Sequence, residues 1–129
     1  MKVGFIGLGT MGASIAMNAI KGQHQLIVHD LNESAATAHI EAGAAWAESP
    51  AGVTSDTDVI LLSLPGPKEF EAVTLGEGGL LDAVQPGQAI LDLTTNSPTV
   101  IRRVSAIFAD KGVQLLDAPV SGGPAGAKS

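Results

Sequence analysis

Val3-Gly4-Phe5-Ile6-Gly7-Leu8-Gly9-Thr10-Met11-Gly12, followed by Leu26-Ile27-Val28-His29-Asp30, decides how the rest of the chain reads. An apolar run, a G-x-G-x-x-G turn, a helical stretch and a second apolar run closed by an acid occur in that order, as strand, turn, helix and strand. Glycine is abundant, at 16 of 129 residues, so the three glycines carry weight only through what flanks them. A phosphate bridge approaches a backbone closely only where side chains are missing and several N–H groups converge. Gly7 is expected to make the tight turn, Gly9 to admit a pyrophosphate against the main chain, and Gly12 to let the helix pack close to the sheet. A helix starting near Thr10 aims its free N–H groups and the positive end of its dipole at the same point. Gly7, Leu8, Gly9, Thr10, Met11 and Gly12 are therefore the candidate cradle for a dinucleotide. Met11, Ile15, Ala16, Ala19 and Ile20 recur at helical spacing and form the stripe that should lie on the sheet.

Asp30 follows Gly9 by about 20 residues, the interval expected of the acid that binds the adenosine ribose. A carboxylate there accepts hydrogen bonds from both ribose hydroxyls and repels a 2′-phosphate, which argues for NAD over NADP. An acid at a strand end also serves as a helix cap, and Asp30 or Asn32 is placed to do that before a helical segment over 33–40.

With 129 residues the chain is one domain's worth, and residues 1–129 are read as a single dinucleotide-binding domain. Thirteen acids against seven bases give a net charge of −6, and Arg102-Arg103 is the densest basic pair, so bulk electrostatic binding of nucleic acid is not expected. The two arginines are expected on a solvated helix face. There is no cysteine, and His24, His29 and His39 lack acidic or cysteine neighbours at ligand spacing, so no metal site is assigned. No apolar stretch approaches the length of a membrane span, and the expected setting is the cytoplasm.

The remainder alternates strand and helix. A helical segment near 33–41 leads through Gly43 to a short apolar stretch, and Ser49-Pro50 reads as an N-cap followed by proline at the first helical position. Val59-Ile60-Leu61-Leu62-Ser63-Leu64 is the strongest strand, ended by Pro65-Gly66-Pro67. A helix from about Lys68 to Leu75 and a short one near Leu80 follow. Ala89-Ile90-Leu91-Asp92-Leu93 is the next strand, Ser97-Pro98 the next cap, and a helix runs to about Asp110 before Gly112 and a last strand over 113–117. Six strands with intervening helices predict an α/β doubly wound parallel sheet of Rossmann type, with ligands at the carboxyl ends of the strands. The loops at those ends are 7–12, 64–67 and 94–97. Leu64-Pro65 either forms an apolar wall on the cofactor or simply ends its strand, and Thr95 either bonds the nicotinamide half or, with Ser97, caps a helix.

The run from Gly4 to Gly12, with Ala16 and Asn18, resembles the amino terminus of the β-hydroxyacid dehydrogenases, the family of 3-hydroxyisobutyrate dehydrogenase and tartronate semialdehyde reductase. Leu64-Pro65, Asp92 with Thr94-Thr95, and Asp117-Ala118-Pro119-Val120-Ser121-Gly122-Gly123-Pro124-Ala125-Gly126-Ala127 fall where that family carries its cofactor and substrate motifs. The resemblance spans the chain and implies an NAD-dependent oxidoreductase moving hydride between the nicotinamide and a small 3-hydroxy acid or semialdehyde acid. It implies cofactor contacts at Gly7, Gly9, Gly12, Asp30, Leu64, Pro65 and Thr95. It also implies a substrate-carboxylate site at Ser121, Gly122 and Gly123, where a hydroxyl and successive N–H groups make an anion-binding nest. Glu69 stands where some members carry a cofactor-contacting amide, and its charge beside phosphates sets it aside.

Members of that family continue into an all-helical domain carrying the catalytic lysine and, in the full-length form, oligomer contacts. The sequence stops at Ser129, within the substrate loop, and neither Lys111 nor Lys128 matches that lysine's motif. The resemblance thus implies no catalytic residue among these 129 and places the catalytic lysine beyond Ser129. The expectations are dinucleotide binding with little or no turnover by these 129 residues, and apolar surface near 113–119 that promotes self-association. A non-catalytic cofactor-binding module and an imine or carbonyl reductase of the same superfamily are the alternatives.

Overall fold

The computed structural model describes residues 1–118. Its sheet contains β1 (Lys2–Ile6), β2 (Gln25–His29), β3 (Ala45–Trp46), β4 (Val59–Leu62), β5 (Ala89–Asp92) and β6 (Gln114–Asp117). Their order is β3-β2-β1-β4-β5-β6, and every pairing is parallel. The helices are α1 (Thr10–Lys21), α2 (Thr37–Glu41), α3 (Pro67–Leu75) and α4 (Pro98–Ala109), with 3-10 turns at Glu33–Ala36, Pro50–Thr54 and Leu80–Asp82. This is the doubly wound sheet that the alternating pattern predicts.

Period-two alternation sends each strand's side chains to two opposite cores. Val3 and Phe5 of β1, with Leu26 and Val28 of β2, join Ala16 of α1 and Ala36 in one cluster. Ile6, Ile60, Leu62 and Ile90 join Phe70 of α3 and Val104 and Phe108 of α4 in the other. Ile15, Ala19 and Ile20 pack on the first cluster, so most of the α1 stripe does lie on the sheet. Helices thus cover one face beside β1 and β2 and the opposite face beside β4 to β6. The sense of winding reverses between β1 and β4, and their carboxyl ends diverge into a crevice there.

Several boundaries differ from the sequence reading. β4 ends at Leu62, because Ser63 makes its last sheet bond to Ile6 and Leu64 turns its N–H to a side chain. β2 ends at His29, because the Asp30 carboxylate draws the following backbone into a turn by accepting from the Asn32 N–H at 2.9 Å. The 33–41 segment divides into a 3-10 turn and α2. Asn32 caps it, accepting from the Ser34 N–H through its side chain and from Ala35 through its carbonyl, the short-range pattern that tightens a first turn. Ser49 caps a 3-10 turn where a helix is expected, whereas Ser97 caps α4. Arg102 and Arg103 are exposed on α4, and Arg103 pairs with Glu71 of α3 at 2.7 Å. Val113 and Leu115 are buried, and Leu116 on the edge strand is 45% exposed, so the apolar exposure expected over 113–119 rests among the described residues on Leu116.

Candidate functional site

The turn after β1 is built from three glycines that meet three different constraints. Gly7 adopts φ +100°, and a side chain on it would begin 2.0 Å from the Ser63 carbonyl oxygen. Gly12, in the first turn of α1, would place a side chain 1.9 Å from the Gly7 carbonyl oxygen. Both positions are closed to side chains by the protein's own backbone. Gly9 differs, since a Cβ there would meet nothing within 4 Å and would project into open space. Gly9 is also the N-cap of α1 and brings no side chain to the orphan N–H groups of the first turn. Bare main chain at a helix N-terminus, open on the solvent side, suits a diphosphate.

That turn borders a cavity of about 790 Å³, within the range of small-molecule and cofactor sites. Gly7, Gly9, Thr10, Met11 and Gly12 form its floor, and Asp30 and Leu31 stand at the β2 end. Leu64, Pro65, Thr94 and Thr95 stand at the β4 and β5 ends. The crevice thus brings together Gly7, Gly9, Thr10, Met11, Gly12, Asp30, Leu64, Pro65 and Thr95 of the sequence-derived set. Leu8 instead turns its side chain into the core, at 5% exposure, and contributes main chain to the turn. Ser121, Gly122 and Gly123, the expected substrate-carboxylate residues, lie outside the described residues, and so does Ser129, the residue beyond which the resemblance places the catalytic lysine.

Asp30 has a second task that sequence spacing does not reveal. Its Oδ2 accepts from the Leu8 N–H at 2.7 Å while Oδ1 accepts from Asn32. The carboxylate therefore ties the glycine turn to the end of β2, and each oxygen retains lone-pair capacity toward the cleft. Capping of the following segment falls to Asn32, leaving Asp30 at the cavity. Glu69 lines the cavity too, although its charge argues against a place there, and Glu77 joins it. Both carboxylates belong to the stretch from α3 into the turn after it, which closes one side of the crevice.

Thr94 is missing from the sequence-derived set and is central in space. It is 2% exposed, and its Oγ1 accepts from the Leu64 N–H at 2.9 Å, joining the loops after β4 and β5. Asp92 beneath it is fully buried, with carboxylate oxygens that accept from the Thr94 N–H at 3.0 Å and the Asn96 amide at 2.9 Å. Burial pushes the Asp92 carboxyl above the usual aspartate range, the Asp117 charge on the adjacent strand adds to that, and the hydrogen bonds from Thr94 and Asn96 oppose it. An acid ending a strand of otherwise apolar residues is the signal in the sequence that points to this position.

Among the described residues no group of acids and histidines is arranged to hold a metal ion, and no helix is long and apolar enough to cross a membrane. His29 and His39 are buried and bond main-chain carbonyls, of Ala47 at 2.8 Å and Ala13 at 2.9 Å.

Comparison with known proteins gives a consistent result. The family described as the NAD binding domain of 6-phosphogluconate dehydrogenase matches residues 2–129. An NAD-dependent L-serine dehydrogenase of Pseudomonas aeruginosa is 40% identical over 126 residues, which are 98% of this chain and 42% of that protein. Mycobacterium tuberculosis 3-hydroxyisobutyrate dehydrogenase with L-serine superposes with a TM-score of 0.89 at 31% identity, covering 98% of this chain and 43% of that one. The structure of Psf3 in complex with NADP+ and 2-OPP superposes with a TM-score of 0.92 at 32% identity, covering 98% of this chain and 45% of that one. The chain therefore spans less than half the length of each of these relatives.

Proposed function

Because the chain belongs to the family of NAD-binding domains of 6-phosphogluconate dehydrogenase, we propose that it is the cofactor-holding half of an oxidoreductase that interconverts a small 3-hydroxy acid and the corresponding carbonyl acid. The open main chain at Gly9, set between a helix N-terminus and the Asp30 carboxylate, is the observation that carries this reading. The groups present fit a dinucleotide: N–H donors and a helix dipole for the diphosphate, and a carboxylate acceptor for a ribose diol. When bound, the nicotinamide supplies the hydride acceptor or donor that no side chain offers. The protein's share is orientation. Gly7, Gly9 and Gly12 shape the cradle, Asp30 grips the adenosine ribose, and Leu64, Pro65 and Thr95 border the other half of the cofactor.

That division follows from strand order. β2 lies on one side of β1 and β4 and β5 on the other, so an extended dinucleotide crossing the turn after β1 has its adenosine toward Asp30 and its nicotinamide toward Leu64 and Thr95. The substrate carboxylate is assigned to Ser121, Gly122 and Gly123, by resemblance and by the anion-binding chemistry of such a nest. The relatives are more than twice as long as this chain, and we assign to the portion that it does not cover the proton-transfer group and the subunit contacts of a homo-oligomer. Residues 1–129 alone are expected to bind dinucleotide with little or no turnover, and substantial steady-state dehydrogenase activity from this polypeptide would overturn that assignment.

Asp30 favours NAD over NADP, because a 2′-phosphate beside it meets like charge. Titration calorimetry with both cofactors is the direct test, with NAD+ expected to bind at least about tenfold more tightly. Asp30→Ala should weaken NAD+ by about tenfold or more, the worth of a hydrogen bond to a charged group, and narrow the preference. Equal affinity for the two cofactors in the unaltered chain would remove Asp30 from its assigned role.

A further inference from the structure

We propose that Asp92, buried behind the cleft wall, is a positioning residue that fixes the hydrogen-bond direction of the loops holding the nicotinamide half of the cofactor. The proposal rests on the dinucleotide reading above and adds to it a group outside the cavity. Leu93, Thr94 and Thr95 line the cavity, whereas Asp92 is fully buried at the end of β5. From there it reaches three loops. Its carboxylate accepts from the Thr94 N–H and the Asn96 side-chain amide. Thr94 passes the connection to the loop after β4, since its hydroxyl accepts from the Leu64 N–H at 2.9 Å. The Asp92 carbonyl oxygen accepts from the Ala118 N–H at 2.9 Å, at the head of the segment that carries the assigned substrate nest.

An ionised carboxylate is acceptor-only, and that polarity propagates. The Thr94 N–H is fixed on the Asp92 carboxylate while the Thr94 Oγ1 accepts from the Leu64 N–H, so Asp92 sets the position of the acceptor that Leu64 meets. Asn96 must turn its NH2 to Asp92, which leaves its Oδ1 for the Ser97 N–H at 2.8 Å. Asparagine at position 92 has nearly the same shape but the wrong polarity. An NH2 group there would face the Asn96 NH2, and turning Asn96 over would set its NH2 against the Ser97 N–H. One neutral, isosteric change therefore disturbs both loops without opening a cavity.

Exchanging the two residue types restores the pattern. In the double variant Asp92→Asn with Asn96→Asp, the amide at 92 donates to the carboxylate at 96, whose other oxygen accepts from Ser97. The experiment is titration calorimetry of the 129-residue chain and its variants with NAD+ and with ADP-ribose, which lacks the nicotinamide. Asp92→Asn is expected to weaken NAD+ by about tenfold while ADP-ribose changes by less than about twofold, and the double variant is expected to recover most of the loss. If Asp92→Asn does not fold, Thr94→Val, which removes the hydroxyl that accepts from the Leu64 N–H, should give the same selective loss, and Thr94→Ser should not.

An unchanged NAD+ affinity, an equal loss for both ligands, or a double variant no better than the single one would overturn the positioning role. A purely structural Asp92 predicts the equal loss. An unaltered chain that binds neither ligand would instead overturn the dinucleotide reading on which the proposal rests.

Discussion

Gly9 and Gly12 lie in the same turn, yet different forces require them. A side chain at Gly12 collides with the Gly7 carbonyl oxygen, so Gly12→Ala must shift helix or strand and should cost about 1–3 kcal/mol of stability. Gly9 has open space before it and an ordinary φ of −68°, so Gly9→Ala should leave the denaturation midpoint nearly unchanged while reducing dinucleotide affinity. Urea unfolding and titration calorimetry on the two variants separate these effects, and a Gly9→Ala chain that binds as before would mean the diphosphate does not rest there. Asp92 makes a different prediction at this scale. Burial and the Asp117 charge raise its carboxyl in the folded state, so just above the ordinary aspartate range the folded chain keeps a proton that the unfolded chain has released. This group's contribution to stability is thus fully present below the unfolded value and is lost as pH rises through the raised one. Urea midpoints from pH 4 to 7 should show the unaltered chain gaining on Asp92→Asn as pH falls, and parallel profiles would contradict the raised position of the Asp92 carboxyl.

Among the elements, α4 carries its own start signal. Ser97 accepts from the Val100 N–H at 3.4 Å and Pro98 occupies the first turn. The bond is long, so Ser97→Ala should cost about 0.5–1 kcal/mol, toward the lower end for a cap, as read from the urea midpoint. The tie between α3 and α4 through Glu71 and Arg103 is exposed on both sides. A double-mutant cycle on that pair should give a coupling below about 1 kcal/mol that falls further in high salt. The apolar contacts of Phe70, Val104 and Phe108 with the sheet are what hold these helices in place, and they in turn seat the loops at the crevice.

For the whole molecule, a ligand bound only by the folded state raises stability in proportion to its saturation. At free NAD+ about 100 times its dissociation constant the gain is about 2.7 kcal/mol, and the thermal midpoint should rise accordingly. NADP+ at equal concentration should raise it less, because Asp30 stands at the β2 end of the crevice. A midpoint indifferent to both cofactors would count against the crevice as their site.

Much of this architecture is written locally in the chain. Apolar runs closed by glycine, proline or acid, and helical stripes between them, are short-range features, so the six strands, their alternation with helices and the glycine turn are legible from residue order. Spacing likewise marks Asp30, and Leu64, Pro65 and Thr95 follow from the resemblance. Strand ends are less legible, because Ser63 and Leu64 leave the sheet in response to partners on β1 and the loop after β5. The joining of Asp30 to Leu8, of Thr94 to Leu64 and of Glu69 to the cleft wall arises only when strands distant in sequence are laid side by side. A hydrogen bond between such groups depends on sheet register and on which way each loop turns, quantities set by packing of the whole and carried by no single stretch of sequence.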